Sequence, residues 1–339
     1  MEGMVIKMKI LQILIFIVVF IVGIIVIIGG FALLFTIISR WREKGVSPWA
    51  KYVRNKKTDK LTDQQQRGIN IGAILAEINN NYCNSLTSCK PKIAKNIRNI
   101  LLRDWEIISK ESAVEALEQL KVDGYRSILN LVLENSHSFP SSEHFLSNIY
   151  KLTGMKVLKK SFAEKYEKEI AVLEKNIDIM FDTTSYEDAK KHKALFGDNE
   201  TFEKCMIIYQ EIVDRCNLYY SLTNNLLETR QVLEKNGFTY DLIELSYINT
   251  TAWDMGRLVN IARYCYDCGY ISENEAWEYI FFAQNESARY YSNWKDFANA
   301  YIIARAIWGG DNMSLSIHID TVKDLLKDEK SPWKFIELR

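Results

Sequence analysis

One uninterrupted apolar run dominates the first forty residues of the chain. No charged side chain occurs between Ile13 and Ile38. At about 1.5 Å per residue, a helix over this run would span roughly 39 Å, which exceeds the ~30 Å hydrocarbon core of a bilayer. A signal peptide has a much shorter apolar region followed by a small-residue cleavage site, and the sequence has neither feature. The pattern therefore predicts a transmembrane anchor over residues 10–39.

The charges that flank this run predict its orientation. Lys7 and Lys9 are the only basic residues before it. The basic residues that follow it are Arg40, Arg42, Lys44, Lys51, Arg54, Lys56, Lys57 and Lys60. Because positive charge stays on the cytoplasmic side, we expect residues 1–9 to be a short external tail and the bulk of the chain to lie at the cytoplasmic face of the inner membrane. The basic linker of residues 40–60 fixes this topology, with binding of anionic lipid as the alternative.

Beyond the linker, apolar residues recur at helical spacing, without a convincing alternating strand pattern. Helices are predicted over residues 61–80, 91–108, 110–121 and 125–134, from Thr250 or Thr251 to Gly269, from Ser272 onward, and from Ser292 to Gly309. The absence of proline between residues 141 and 331 suits long helices. The sequence thus predicts an all-α fold, with one N-terminal transmembrane helix followed by a soluble multi-helix domain.

Composition divides the soluble part into three segments. They are a first helical part over residues 61–155, a charged helical middle over 156–236 and a C-terminal helical part over 237–339. Apolar residues alternate four and three apart from Tyr166 to Met180, a short coiled-coil-like seam that favours packing within the domain. We expect the middle segment to be peripheral or inserted.

Overall charge and cysteine content narrow the classes of function. The 43 basic and 43 acidic side chains balance, so nucleic acid is not an expected partner. The six cysteines would lie in a reducing compartment and are predicted to be free thiols. Cys265-x-x-Cys268 lacks the second ligand pair of a zinc site. No metal or cofactor is expected, and the chain has no phosphate loop, H-E-x-x-H or nucleophile elbow, which weighs against an enzyme.

The helix that begins at Thr250 or Thr251 carries the candidate site. One arc of this helix is apolar, whereas the opposite arc is polar and aromatic. The polar arc and its candidate partners on the following helices are Trp253, Asp254, Arg257, Asn260, Arg263, Trp294, Tyr301 and Arg305. A buried, unpaired guanidinium is very costly, so Arg305 is predicted to pair with Asp254, with Asp267 as the rival acid.

Two interpretations of this set remain open. In the first, it is a structural network that fixes how the helices cross, and Asp254 completes a capping box that begins at Thr251. In the second, Arg257, Arg263 and Arg305 line a pocket that receives an anion.

Two stretches resemble a known family. The first is Leu101-Leu102-Arg103-Asp104-Trp105-Glu106-Ile107, continued by Gly124-Tyr125-Arg126. The second is the W-D-x-G-R sequence of residues 253–257, followed by Gly269-Tyr270-Ile271-Ser272 and the helix that ends at Trp308-Gly309-Gly310. Together they resemble the bacterial family called domain of unknown function 1266, which includes the YbeU and YbeR proteins. The resemblance covers about a third of the chain, without the anchor or the middle segment, and implies no particular activity.

The function expected from these features is that of a membrane-anchored helical module for protein interaction or scaffolding. Its partners would be membrane lipid, through the N-terminal helix, and another protein. The alternative is an enzyme or anion-binding domain with a polar, aromatic pocket around Asp254, Arg257, Arg263 and Arg305.

Overall fold

Helices are the regular secondary structure of the domain. The computed structural model describes residues 51–90, 94–136, 164–181, 190–238 and 241–339. In chain order, helices α1 to α15 are Asp63–Ile71, Ala73–Ile78, Ala94–Trp105, Lys110–Val122, Arg126–Glu134, Glu167–Lys175, Ile177–Phe181, Asn199–Glu228, Arg230–Lys235, Leu242–Ser246, Thr251–Asp267, Glu273–Tyr290, Trp294–Gly309, Met313–Lys327 and Pro332–Phe335. The all-α prediction is confirmed. Within these ranges no helix has the length and apolarity needed to cross a bilayer, and the predicted anchor over residues 10–39 lies outside them.

Side-chain caps fix several of the helix ends that the sequence predicts. Ser109 and Ser272 each form a capping box with the residue three positions later, at the starts of α4 and α12. The start of α13 differs slightly from the prediction, because Asn293 rather than Ser292 is the N-cap. The predicted helix over 61–80 is divided into α1 and α2 at Gly72. A Cβ atom at Gly72 would lie 2.7 Å from Asn260 Nδ2, so only glycine permits this approach to α11.

Helix α11 is the centre of the domain. Every residue from Thr251 to Cys265 is buried, and helices α1 to α5, α12 and α13 pack around it. The polar arc that the sequence predicts therefore faces protein and not solvent. Its side chains must find hydrogen-bond partners inside the domain, because a buried polar group without a partner is destabilising.

The middle segment is linked to this core through α8. The predicted seam is buried at Ile170, Leu173 and Met180, where α6 packs against α8. Helix α8 in turn packs against α5 and α13 and buries Leu226. Packing of the seam within the domain is thus confirmed. Helix α8 therefore packs as part of the core, and the expectation that the middle segment is peripheral or inserted stays a prediction.

Two adjacent leucines of α8 test this assignment. Leu226 is fully buried, whereas Leu227 is 46% exposed. We expect Leu226→Ala to lower the free energy of unfolding by about 2–5 kcal/mol, and Leu227→Ala to change it by less than about 0.5 kcal/mol. Urea unfolding of the full-length protein in detergent measures both. Equally small losses would contradict the placement of α8 in the core.

Candidate functional site

The carboxylate of Asp254 lies at the centre of the candidate site and is fully buried. Its Oδ2 accepts hydrogen bonds from the backbone N–H groups of Tyr125 and Arg126, each at 2.9 Å, and from Arg126 Nη1 at 3.3 Å. Its Oδ1 accepts from Arg257 Nη2 at 2.8 Å. The two backbone donors lie at the start of α5, where the helix dipole favours a negative charge. Asp254 of α11 therefore caps a helix that precedes it by more than a hundred residues.

This arrangement corrects the predicted role of Asp254. The N-cap of α11 is Thr250, whose hydroxyl donates to Asn130 Oδ1 at 2.7 Å. The predicted capping box at Thr251 is therefore wrong, and Asp254 caps a different helix. Gly124 makes this possible, because its φ is +56° and a Cβ atom there would overlap Asp254 Oδ2 at 2.1 Å.

The guanidinium of Arg257 is enclosed by aromatic rings. It lies 4.7 Å from the ring centre of Tyr125, 4.9 Å from that of Trp253 and 5.5 Å from that of Trp105. Such contacts add cation–π attraction to the ion pair with Asp254. Sequence reasoning placed Trp253 beside Arg257 but missed Trp105, Tyr125 and Arg126. These three residues lie in the first family-like stretch, and the family resemblance of that stretch could have indicated that they belong to the site.

Further along α11, Asn260 and Arg263 hold backbone carbonyls. Asn260 Nδ2 donates to the carbonyl of Gly72 at 2.9 Å, between α1 and α2. Arg263 donates to several carbonyl oxygens of the irregular loop at residues 79–90. These acceptors belong to Tyr82, Ser85, Leu86 and Thr87, at 2.6 to 3.3 Å. Arg263 is fully buried, and this burial lowers its pKa. Each side chain fixes a neighbouring segment.

Asp267 completes the attachment of this loop. Its carboxylate accepts from the backbone N–H of Ser88 at 2.8 Å and from the Ser88 hydroxyl. Burial raises the pKa of Asp267, and the bonds from Ser88 and the charge of Arg263 oppose that shift. Asp267 is thus occupied by the loop and does not pair with Arg305.

The predicted contact of Arg305 with Asp254 or Asp267 is wrong. Arg305 Nη2 donates to Asn312 Oδ1 at 3.2 Å. Its guanidinium folds over Gly309, where a Cβ atom would lie 1.9 Å from Nη1. The Arg305 side chain occupies the space that a Cβ atom of residue 309 would fill, and it therefore extends over Gly309 toward the start of α14.

Trp294 lies in a different part of the domain from Arg305. Its ring stacks on Trp333 with centroids 4.9 Å apart, and its Nε1 donates to the carbonyl of Ile336 at 2.8 Å. These contacts hold the C-terminal segment against the start of α13. Trp294 therefore does not share a site with the end of that helix.

Tyr301 and Trp253 meet a histidine that sequence reasoning missed. The ring of Tyr301 lies 5.1 Å from that of Trp253 and 6.0 Å from that of His318. Burial lowers the pKa of His318 to about 4, and the charge of Arg305 contributes in the same direction. His318 lies on α14, whose sequence pattern carries no sign that it would reach this cluster.

A small cleft opens beside the aromatic enclosure of Arg257. Its volume is about 210 Å³, and it lies between the end of α3 and the end of α4. It is lined by Arg103, Asp104, Trp105, Glu106, Ala116, Gln119, Leu120, Gly124 and Tyr125. Glu106 has a φ of +56°, which is uncommon for a residue other than glycine. Two of its lining residues, Trp105 and Tyr125, contact Arg257 of the second family-like stretch.

The cysteines give no sign of metal chemistry in the part of the chain described. All six are free, as predicted, and all are buried. Burial raises the pKa of the Cys265 thiol to about 12. Within the described ranges, no three histidine, cysteine or acidic side chains lie close enough together to hold a metal ion.

Comparison with known families supports the resemblance noted in the sequence. A model of the family described as "Protein of unknown function (DUF1266)" matches residues 100–338. The match runs through residues 156–236, so the expectation that the resemblance omits the middle segment is wrong. No curated protein and no solved structure matched the chain. Bacterial origin and kinship with YbeU and YbeR stay predictions.

Replacement of Gly124 by alanine tests how closely Asp254 approaches α5. Gly124 and Gly269 both have positive φ, +56° and +76°, so alanine costs roughly 1–2 kcal/mol at either position. Only at Gly124 would the new Cβ displace the Asp254 carboxylate, whereas no described atom lies within 4 Å of the Cβ position at Gly269. We expect Gly124→Ala to lower the free energy of unfolding clearly more than Gly269→Ala in urea titrations. Equal losses would contradict the cap.

The pH dependence of stability tests the burial of His318. The pKa of His318 is 6.5 in the unfolded chain and about 4 in the folded state. At a pH between these two values, the unfolded chain binds the proton and the folded chain does not. Stability should therefore fall as the pH is lowered from 6.5 toward 4, by up to roughly 3 kcal/mol from this residue. His318→Phe keeps a ring without a titrating group. If the free energy of unfolding changes equally with pH in the wild type and in His318→Phe between pH 6.5 and 4, the burial of His318 is refuted.

Proposed function

Since the chain belongs to the DUF1266 family, and the family implies no particular activity, we propose a function from the geometry of the domain. The protein is a helical, non-catalytic module that binds a protein partner through the cleft between α3 and α4. The observation that carries this proposal is that Trp105 and Tyr125, which line the cleft, also contact Arg257 of the second family-like stretch.

The contacts of α11 support a binding role over a catalytic one. Asp254 accepts backbone N–H groups of α5, and Arg263 and Asp267 hold the loop at residues 79–90. These are the side chains that an acid–base or anion-binding mechanism would need free. Each is instead occupied in positioning a neighbouring segment, so the W-D-x-G-R motif serves to build the surface on which the cleft lies.

The surroundings of the cleft suit a protein partner. Leu102, Ile108 and Val122 flank the lining residues along the chain, and all three are more than half exposed. Exposed apolar side chains beside a pocket with aromatic walls are typical of interaction sites. A volume of about 210 Å³ suits one anchor side chain of a partner better than a whole metabolite.

Residues 10–39 would attach this module to the membrane. Lys51, the first described residue, follows the end of the uncharged run by thirteen residues. A fully extended chain of that length spans at most about 45 Å, which limits the distance between Lys51 and the membrane. Two larger clefts, of about 580 and 500 Å³, are both lined by Arg54 and Phe335, and Phe335 is 64% exposed. A basic and an aromatic side chain near the entry of the chain suit a membrane-facing side, which would make the partner a membrane-associated protein.

Site-specific photocrosslinking in intact cells tests the binding site. A photoreactive residue at position 122, which is 74% exposed, should give one discrete adduct, and the added change Leu102→Asp should abolish it. Position 313 on α14 is the matched control, because Met313 is an apolar residue that is 81% exposed. The same adducts at both positions, or an adduct at 122 that Leu102→Asp leaves unchanged, would contradict the proposal.

A reporter fused after Arg339 tests the proposed topology. Because the excess of basic residues follows the apolar run, the fusion should show cytoplasmic activity. A second reporter fused directly after residue 60, which keeps the basic residues that follow the run, should give the same result. Activity of either reporter on the opposite side of the membrane would overturn the orientation.

A further inference from the structure

Unpaired polar atoms gather where α11, α13 and α14 meet. Among the described residues, five buried atoms of this region have no hydrogen-bond partner. They are Trp253 Nε1, Arg257 Nε, Tyr301 OH, Arg305 Nη1 and His318 Nε2. A buried donor or acceptor without a partner costs free energy, and native structures contain few of them. Several in one place call for a specific explanation.

Arg305 carries the charge in this group. Throughout the described ranges, no carboxylate lies within ion-pair distance of its guanidinium, whereas Arg257 has Asp254 as its counter-charge. Burial lowers the pKa of Arg305, which reflects the cost of a positive charge removed from water. Its one hydrogen bond in the described structure is to Asn312, a neutral side chain.

The position of Arg305 makes this lack of a counter-charge more costly. Asn312 is the N-cap of α14, a helix of 15 residues, so the guanidinium lies at the positive end of a helix dipole. The guanidinium and the N-terminus of α14 are therefore two neighbouring sources of positive potential, which meet at the exposed residue Asn312. An anion between them would be favoured by both the dipole and the guanidinium.

The neighbouring groups define what such an anion would meet. Arg305 lies one helical turn after Tyr301 on α13. Burial raises the pKa of Tyr301, and the charge of Arg305 opposes that shift. Burial lowers the pKa of His318, and the same charge contributes in that direction. Tyr301 offers a hydroxyl donor. His318 Nδ1 lies 2.6 Å from the carbonyl of Ser314, which assigns the proton to Nδ1 and leaves Nε2 as an acceptor. The set thus combines a cation and a hydroxyl donor with one acceptor.

We propose that Arg305, Tyr301 and His318 form a buried site for a small oxyanion, of the class of carboxylates and hydrogencarbonate. Oxygen atoms of the anion accept from Arg305 Nη1 and Tyr301 OH, and an O–H group, where the anion has one, donates to His318 Nε2. All three side chains are buried, and none of the three clefts described above is lined by them. This site is separate from the cleft between α3 and α4.

The experiment measures the Tm of the full-length protein in detergent with increasing acetate or hydrogencarbonate. Ionic strength and pH are held constant, and chloride serves as the reference anion. A bound oxyanion stabilises the folded state in a saturable way, so we expect Tm to rise by several degrees. A larger rise with hydrogencarbonate would identify His318 Nε2 as an acceptor in the site, and an equal rise would assign recognition to Arg305 and Tyr301.

Tyr301→Phe is the diagnostic variant, because it removes only the hydroxyl. Without oxyanion its Tm should equal or exceed that of the wild type, since an unpaired buried hydroxyl is lost. With oxyanion its apparent affinity should be weaker by about tenfold or more. Arg305→Gln should abolish the response, and Arg289→Gln, on an exposed arginine of α12, should leave it intact.

Two results would overturn the site. The first is a Tm that responds to acetate and hydrogencarbonate no more than to chloride. The second is an equal response in the wild type and in Tyr301→Phe. If Arg305→Gln fails to fold, the comparison between the wild type and Tyr301→Phe decides the question without it.

Discussion

The buried carboxylate of Asp254 is the constraint on which the arrangement of this domain depends. A charge removed from water is costly unless donors and counter-charges surround it. Here the start of α5 supplies two backbone N–H groups, and Arg126 and Arg257 supply positive charge. These donors come from segments far apart in the chain, so satisfying one carboxylate brings α4, α5 and α11 into a single arrangement. Arg257, held in this way, then orders the rings of Trp105 and Tyr125 beside the cleft.

The same logic extends along α11. Asn260 holds the junction of α1 and α2, and Arg263 holds the loop at residues 79–90. A central helix of apolar residues alone could rotate or slide against its neighbours, whereas directed hydrogen bonds to backbone groups allow one register. The polar arc of α11 is thus explained by the segments that its side chains hold. On α13, by contrast, Arg305 has no counter-charge among the described residues, and that is where we infer a ligand.

Sequence patterns predicted the elements of this fold better than their contacts. Capping residues such as Ser109 and Ser272 act on their own helices, so local sequence was sufficient to find them. The partners of Asp254 were not predictable in this way, because two of them are backbone groups of a distant helix. The break at Gly72 depends on the approach of Asn260, and the direction of Arg305 depends on the space over Gly309. His318 joins the cluster only through the packing of α14.

The most direct test of the central role of Asp254 is a double-mutant cycle with Arg257, measured as the free energy of unfolding of the full-length protein in urea. Asp254→Asn removes the charge with little change of shape, and Arg257→Met removes its partner. Asp254→Asn leaves the buried Arg257 guanidinium without a counter-charge, so we predict a loss of about 3–5 kcal/mol. Arg257→Met should cost less, because Asp254 keeps Arg126 and two backbone donors. The double variant should lose much less than the sum of the two. Losses below about 1 kcal/mol that simply add would contradict this account.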